Sequence, residues 1–397
     1  MRPALLPVIM LVLNALVSAG ETAEPPRVEQ YLHSGELTKG QQEIERALAA
    51  APHDDQLRFG LGLLRFVRGV ERLGQSFYEY GLKSEHQDAP FLRLPVPANA
   101  DPAAIRYSDF RRLLDEFRQD LMDAEGVLEG VKDDQVSLPL RLGEIHLDLD
   151  GDGSPNDRFV DVLRKIMRRD ADFLRDNPAF MVRFDRGDVA WLRAYCHLLA
   201  SMVDIYLAFD TGAFFDLWAD EAFAKPKNAF AGTTEERWQK MQEAGLVTRI
   251  VEPARLDRFR RHVIKVAELN RETWKHIRAE TDDDSEWLPN SKQQGVLRMP
   301  VRDDMIDAWL RSVTEIESLM DGKKLLPILW RDAVGKGINL KTLLEDPPVE
   351  FRWEELAKDG LPEKYLENGP PVDFQVFFVL LQVFENTTAV GYMAWFN

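Results

Sequence analysis

The chain of 397 residues contains a single cysteine, Cys196. No intrachain disulfide is therefore possible, and a chain of this size does not need one to build a core. Positive charge is also short. Lys and Arg number 50 against 67 Asp and Glu, a formal charge of −17. That balance disfavours nucleic acid and anionic membrane as partners, because both require a positive face. The motif inventory is equally thin. There is no G-x-S-x-G, no H-E-x-x-H and no complete dinucleotide fingerprint. "GKGINLK" offers Gly335 and Gly337 ahead of a possible helix, without the spacing of a phosphate loop. Carboxylates are so abundant that no glycosidase pair can be singled out by position.

What is present begins with the N-terminus, MRPALLPVIMLVLNALVSAGETAEPPR. Arg2 supplies a positive start, Leu5 to Val17 an apolar run, and Val17 and Ala19 the small residues before a cleavage site. This is the order of a secretory signal, expected over residues 1–19. The run is shorter than the roughly 20 residues that span a bilayer, and no later stretch approaches that length without charges. A periplasmic or secreted chain with no membrane span after signal removal is the expectation. Losing Arg2 moves the formal charge from −17 to −18.

The remaining pattern is mainly α. From Val28 to Gly81 apolar residues recur three and four apart. Tyr31, Gly35, Ile44, Ala47 and Pro52 fit one tetratricopeptide unit, and Leu61, Gly62, Phe66 and Gly69 fit the opening of a second. The stretch 26–85 thus resembles that family, whose unit is about 34 residues. The resemblance implies stacked helical hairpins and contacts with another protein. One or two such units cannot bury a core alone, so they must pack on the rest of the chain. A proline-rich break over 86–102 precedes a helical domain expected over 103–280. There Phe110, Leu113, Leu114, Phe117 and Leu121 make one apolar stripe, and Ser108 or Asp109 is a candidate cap. Further helices are expected at 188–209, 213–224, 234–244, 253–280 and 303–321. A C-terminal helical region, 301–397, closes the chain. "MDGKKLLPILW", "GKGINLKTLLEDP" and the terminal "WFN" resemble an uncharacterised family of exported bacterial helical proteins, a resemblance that implies no activity.

One stretch concentrates charge: "DLDGDGSPND", Asp148 to Asp157. Asp148, Asp150 and Asp152 alternate, and Gly153 follows. Calcium takes about six to eight oxygens, many of them carboxylate. Alternate aspartates in a curled loop aim at one point, and glycine permits the sharp turn. The pattern resembles an EF-hand loop at positions one, three, five and six, with Ser154 offering a carbonyl at seven. It departs at twelve, where Phe159 stands in place of Glu, and at eight, where Pro155 has no N–H to pair with a second loop. The shell over 148–161 would be completed by Asp157 or Asp161. Three carboxylates this close repel one another unless a cation sits among them. The preceding "GEIHLDLD" alternates as a short extended piece would, and "RFVDVLRKIMRR" reads as a helix.

Other clusters have plainer explanations. Cys196 lies in an apolar helical pattern and reads as a buried small residue. Adjacent His197 points elsewhere on the helix, and His262 has no partner at a useful spacing. Glu268, Glu272, His276 and Glu280 form a four-residue stripe that reads as a solvent face. Nine tryptophans read as core. Two functions survive: an exported helical scaffold that binds protein and holds a structural calcium, or a hydrolase of a cell-envelope polymer with an unidentified carboxylate pair.

Overall fold

The computed structural model describes residues 27–83, 92–167, 172–283, 285–328, 335–384 and 395–396. The expected signal segment lies outside the described residues.

Fourteen α-helices are described: α1 (Val28–Ser34), α2 (Leu37–Ala50), α3 (Asp55–Glu79), α4 (Tyr107–Leu128), α5 (Phe159–Met167), α6 (Asp172–Asp176), α7 (Arg186–Ala208), α8 (Gly212–Ala222), α9 (Thr234–Leu246), α10 (Ala254–Ala279), α11 (Asp303–Met320), α12 (Leu340–Glu345), α13 (Trp353–Asp359) and α14 (Phe374–Val383). The protein is mainly α, as the periodicity requires. The helices at 188–209, 213–224, 234–244, 253–280 and 303–321 are found as α7, α8, α9, α10 and α11.

Local chemistry sets their starts. Asp54 accepts the Leu57 N–H at 2.9 Å and opens α3. Asp185 accepts the N–H groups of Gly187 and Asp188 and opens α7, while Asp188 accepts the Asp185 N–H in return. At α4 the cap position is Arg106, not Ser108 or Asp109. Asp109 instead sits inside the first turn and accepts the Arg106 N–H at 2.9 Å.

Strands are short and antiparallel: β1 (Leu138–Leu140) with β4 (Val182–Phe184), β2 (His146–Leu147) with β3 (Asp157–Arg158), β5 (Val247–Arg249) with β8 (Glu350–Arg352), and β6 (Leu326–Pro327), β7 (Lys336–Ile338) and β9 (Leu366–Asn368) in one sheet. "GKGINLK" therefore contributes strand β7, followed by a helix of six residues.

The long helices pack as a succession, α2 on α3, α3 on α4, α4 on α7, α7 on α10, α10 on α11 and α11 on α14. One continuous apolar cluster takes residues from Val28 to Phe396. The N-terminal helices share it with the body through Val28, Tyr31, Leu32, Leu37 and Ile44. α3 runs 25 residues without interruption and carries Leu61, Gly62, Phe66 and Gly69 on one helix. The apolar stripe of α4 is buried at Phe110, Leu113, Leu114, Phe117 and Leu121. Tryptophan divides. Trp274, Trp287, Trp309 and Trp395 are buried, whereas Trp238 and Trp353 are more than half exposed. Among the described residues no helix is long and apolar enough to cross a membrane.

Candidate functional site

The aspartate loop is the tip of a two-stranded ribbon. β2 and β3 pair antiparallel, with His146 opposite Arg158 and Leu147 opposite Asp157. The nine residues 148–156 lie between them, and α5 starts directly after β3. Gly151 and Gly153 carry φ of 72° and 85°, a region L side chains rarely adopt.

The carboxylates are held by the loop's own backbone. Asp148 accepts the N–H of Gly151 at 2.8 Å, of Asp152 at 3.1 Å and of Gly153 at 3.0 Å. Asp150 accepts from Asp152 at 3.2 Å, and Asp152 from Ser154 at 2.6 Å. In consequence one oxygen from each of Asp148, Asp150 and Asp152 lies within 4.8 Å of the others. Each ionised carboxylate offers about four lone-pair sites, so these bonds leave acceptors facing the common point.

The loop is anchored to its surroundings. Leu149 is fully buried. Gln75 of α3 donates to the Asp148 carbonyl at 2.8 Å, and the Asp148 N–H donates to Glu71 at 2.9 Å. Burial first, and the Asp148 charge second, push the Glu71 carboxyl up to about 7. Pro155 packs onto Gly35, where φ is 71° and an added Cβ would come within 2.2 Å of the proline ring. His146 contacts the His33 carbonyl through Nδ1 at 3.0 Å, so this histidine is satisfied by the backbone.

The other expected ligands stand apart from the three aspartates. Ser154 is exposed, and its carbonyl accepts the Asn156 N–H at 2.8 Å. Asp157 accepts the Leu149 N–H at 3.0 Å. Its carboxyl is raised by burial and then by the charges of Asp150, Asp148 and Asp161. Asp161, in the first turn of α5, faces Arg158 at 3.4 Å and Arg164 at 3.8 Å. A cavity of about 580 Å³ abuts the loop, lined by Asn156, Asp157, Arg158, Asp161, Arg164 and Lys165.

A second polar site runs between α4, α7 and α10. Sequence reasoning did not find it. Arg193 donates twice to Glu125, at 3.0 and 2.8 Å, and once to Glu129 at 3.1 Å. His197 Nε2 faces Glu125 at 3.5 Å. His197 Nδ1 and His262 Nδ1 are 2.7 Å apart. His262 Nε2 faces Asp204 at 3.5 Å. Arg255 donates to Asp204 at 2.9 Å, to Asp115 at 3.0 Å and to Glu252 at 2.6 Å. Burial alone would raise Glu125, but His197 and Arg193 hold it down at about 2. Asp204 is likewise lowered, burial being outweighed by His262, Arg255 and Arg258. Cys196 next door is fully buried and its thiol is pushed up by burial, so it is the inert small residue expected.

The stripe Glu268, Glu272, His276 and Glu280 is not a solvent face throughout. Glu272 pairs with Arg186 at 2.5 Å, and Glu280 is raised by burial and by Asp185. Asp188, wholly buried nearby, is raised by burial and then by Asp185. The stripe meets the start of α7, a contact that spacing along one helix cannot disclose.

Comparison with known family models, curated proteins and solved structures finds no match for the chain.

Proposed function

We propose that the chain is an exported helical scaffold that holds one structural calcium ion in the loop 148–152 and presents its tetratricopeptide-like first helices to a protein partner. The observation that carries the calcium reading is the convergence of Asp148, Asp150 and Asp152. These carboxylates are oriented by backbone N–H groups and, among the described residues, no Lys or Arg is paired with any of them. Oxygen-only donors on a curled loop suit a hard cation of high coordination number. The remaining oxygens come from Ser154, from Asp157 or Asp161 after a small shift, or from water. The ion would tie the β2–β3 tip to α3, since the same loop is bonded to Glu71 and Gln75.

Ligand that binds only the folded state adds RT ln(1 + [L]/Kd), about 2.7 kcal/mol at a hundredfold excess over Kd. Calcium added to metal-free protein should raise the melting temperature, and a chelator should reverse the rise. Asp150→Asn keeps an oxygen but loses a charge, so its response should be weaker, and weaker still in Asp150→Ala. No heat on calorimetric titration, with no melting shift at millimolar calcium, would reduce the stretch to a turn.

A second reading, hydrolysis of a cell-envelope polymer, is favoured by one observation. The cavity beside the loop is lined by Asp157 and Asp161, two carboxyls that could face a substrate as an acid–base pair, and burial raises that of Asp157. Release of reducing ends from purified envelope polysaccharide, lost in Asp157→Asn with the fold retained, is its expected signature. No release by the wild-type protein eliminates it.

A further inference from the structure

The seam between α4, α7 and α10 contains a geometry that constrains protons. The rings of His197 and His262 approach with centroids 4.9 Å apart and their Nδ1 atoms 2.7 Å apart. Two nitrogens at that distance share a proton: one must be N–H and the other a lone pair. A shared zinc does not fit, because bonds of about 2.0–2.1 Å in tetrahedral geometry hold ligand atoms farther apart. Each outer Nε2 faces a carboxylate, Glu125 for His197 and Asp204 for His262, both at 3.5 Å. Both imidazoles are nearly buried, at 12 % exposure each.

Count the ring protons. Two neutral imidazoles carry two, enough for the bridge and one Nε2. A third completes the other Nε2, so that both carboxylates face N–H. A fourth has no place, since it would set N–H against N–H across 2.7 Å. We propose that the His197–His262 pair is a proton-sharing latch between α7 and α10, which holds with at most three ring protons and opens when acidification adds the fourth.

The charged surroundings fit a single positive charge on the pair. Glu125, Asp115 and Arg118 come from α4 and Glu129 from the residue that ends it, Arg193 and Asp204 from α7, and Arg255, Arg258 and Glu252 from α10 and its approach. α11 and α12 meet α10 through Arg271–Glu317 and Arg260–Glu345, pairs away from the two rings. His197 is lowered by burial and by His262, against the pull of Glu125. Among the described residues α7 and α10 form the most extensive helix pair, so a repulsion placed there acts on the centre of the fold.

The test is a pH titration of the full chain with histidine ring nitrogens labelled, followed by NMR, together with amide exchange in α7 and α10. At neutral pH one of the two Nδ1 atoms should carry a proton and the other a lone pair. The two ring titrations should separate by more than about one pH unit, as strongly interacting sites do. Exchange in α7 and α10 should accelerate together at the lower step. In His262→Asn the amide keeps a partner for His197 Nδ1 but cannot be charged, so the acid acceleration should vanish. Independent, coincident titration of the two rings overturns the latch. So does double protonation with unchanged exchange, or an equal acid response in His262→Asn. If that variant does not fold, the wild-type titration decides alone.

Discussion

Asp204→Ala is expected to destabilise the protein by about 3–5 kcal/mol, the cost of removing one partner from a buried ion pair. Asp204 has no exposed surface, and its carboxylate faces Arg255 at 2.9 Å, Arg258 at 3.4 Å, Arg118 at 3.9 Å and His262 at 3.5 Å. Alanine would leave these donors beside a void in a region that water cannot readily enter. Arg255, 8 % exposed, keeps Asp115 and Glu252, which limits the loss. Asp204→Asn retains an acceptor and should cost less. The sign of the pH dependence comes from the lowered carboxyl. The folded state binds the Asp204 proton less tightly than the unfolded chain does, so its contribution is present above the ordinary carboxyl range near 4 and is lost as pH falls through the lowered value. The gap between wild type and Asp204→Ala should therefore narrow in acid. Urea unfolding at pH 7 and at about pH 3, below the ordinary carboxyl value, measures both, and a cost below about 1 kcal/mol at pH 7 would mean that the seam is wet and screened.

That seam marks where the sequence stops being informative. Helix positions follow from local periodicity, and α7 through α11 are found where apolar residues recur three and four apart. The short ribbon around the aspartates follows from the alternation of "GEIHLDLD" and from the glycines. Both signals lie within a few residues of the structure they specify. Glu125 gives no such signal. It follows Ala124, at the margin of the α4 apolar stripe, where a charge ordinarily marks the turn toward solvent. Its partners Arg193 and His197 are more than sixty residues away, and His262 is 65 residues beyond His197. Only the packing of α4, α7 and α10 brings them together. The trace that sequence does hold is Asp204 in "SMVDIYLAF", a carboxylate within an apolar helix, which demands a buried cation. The stripe Glu272, His276 and Glu280 misleads for the same reason: spacing on α10 shows that its members share a face, and only α7 shows what that face meets.

Phe110→Ala should cost a comparable amount, about 3–5 kcal/mol for an aromatic ring removed from a core, through a different mechanism. Phe110 has no exposed surface. Its ring sits at 5.4 Å from Phe215, 5.7 Å from Trp218, 5.8 Å from Tyr206 and 6.0 Å from Phe223, mostly edge to face. Those partners belong to α7, to α8 and to Phe223 just beyond α8, so one side chain of α4 fastens the two successive helices α7 and α8. Ring pairs in such arrangements contribute about 0.5–1.5 kcal/mol beyond area burial, and their loss adds to the cavity left behind. Phe110→Leu refills part of the volume and should recover part of the stability, whereas Asp204→Asn recovers charge geometry instead. The two sites also separate by pH. Tyr206, the titratable ring against Phe110, is pushed up to about 12 by burial and keeps its proton throughout this range, so the Phe110 cost should be the same at pH 7 and at about pH 3, while the Asp204 cost narrows. Trp218 fluorescence and near-ultraviolet circular dichroism should change in Phe110→Ala before unfolding, because Trp218 loses the edge contact that fixes its ring. A cost below about 1 kcal/mol with an unchanged Trp218 signal would show that α8 is held by its other contacts and that Phe110 fastens nothing.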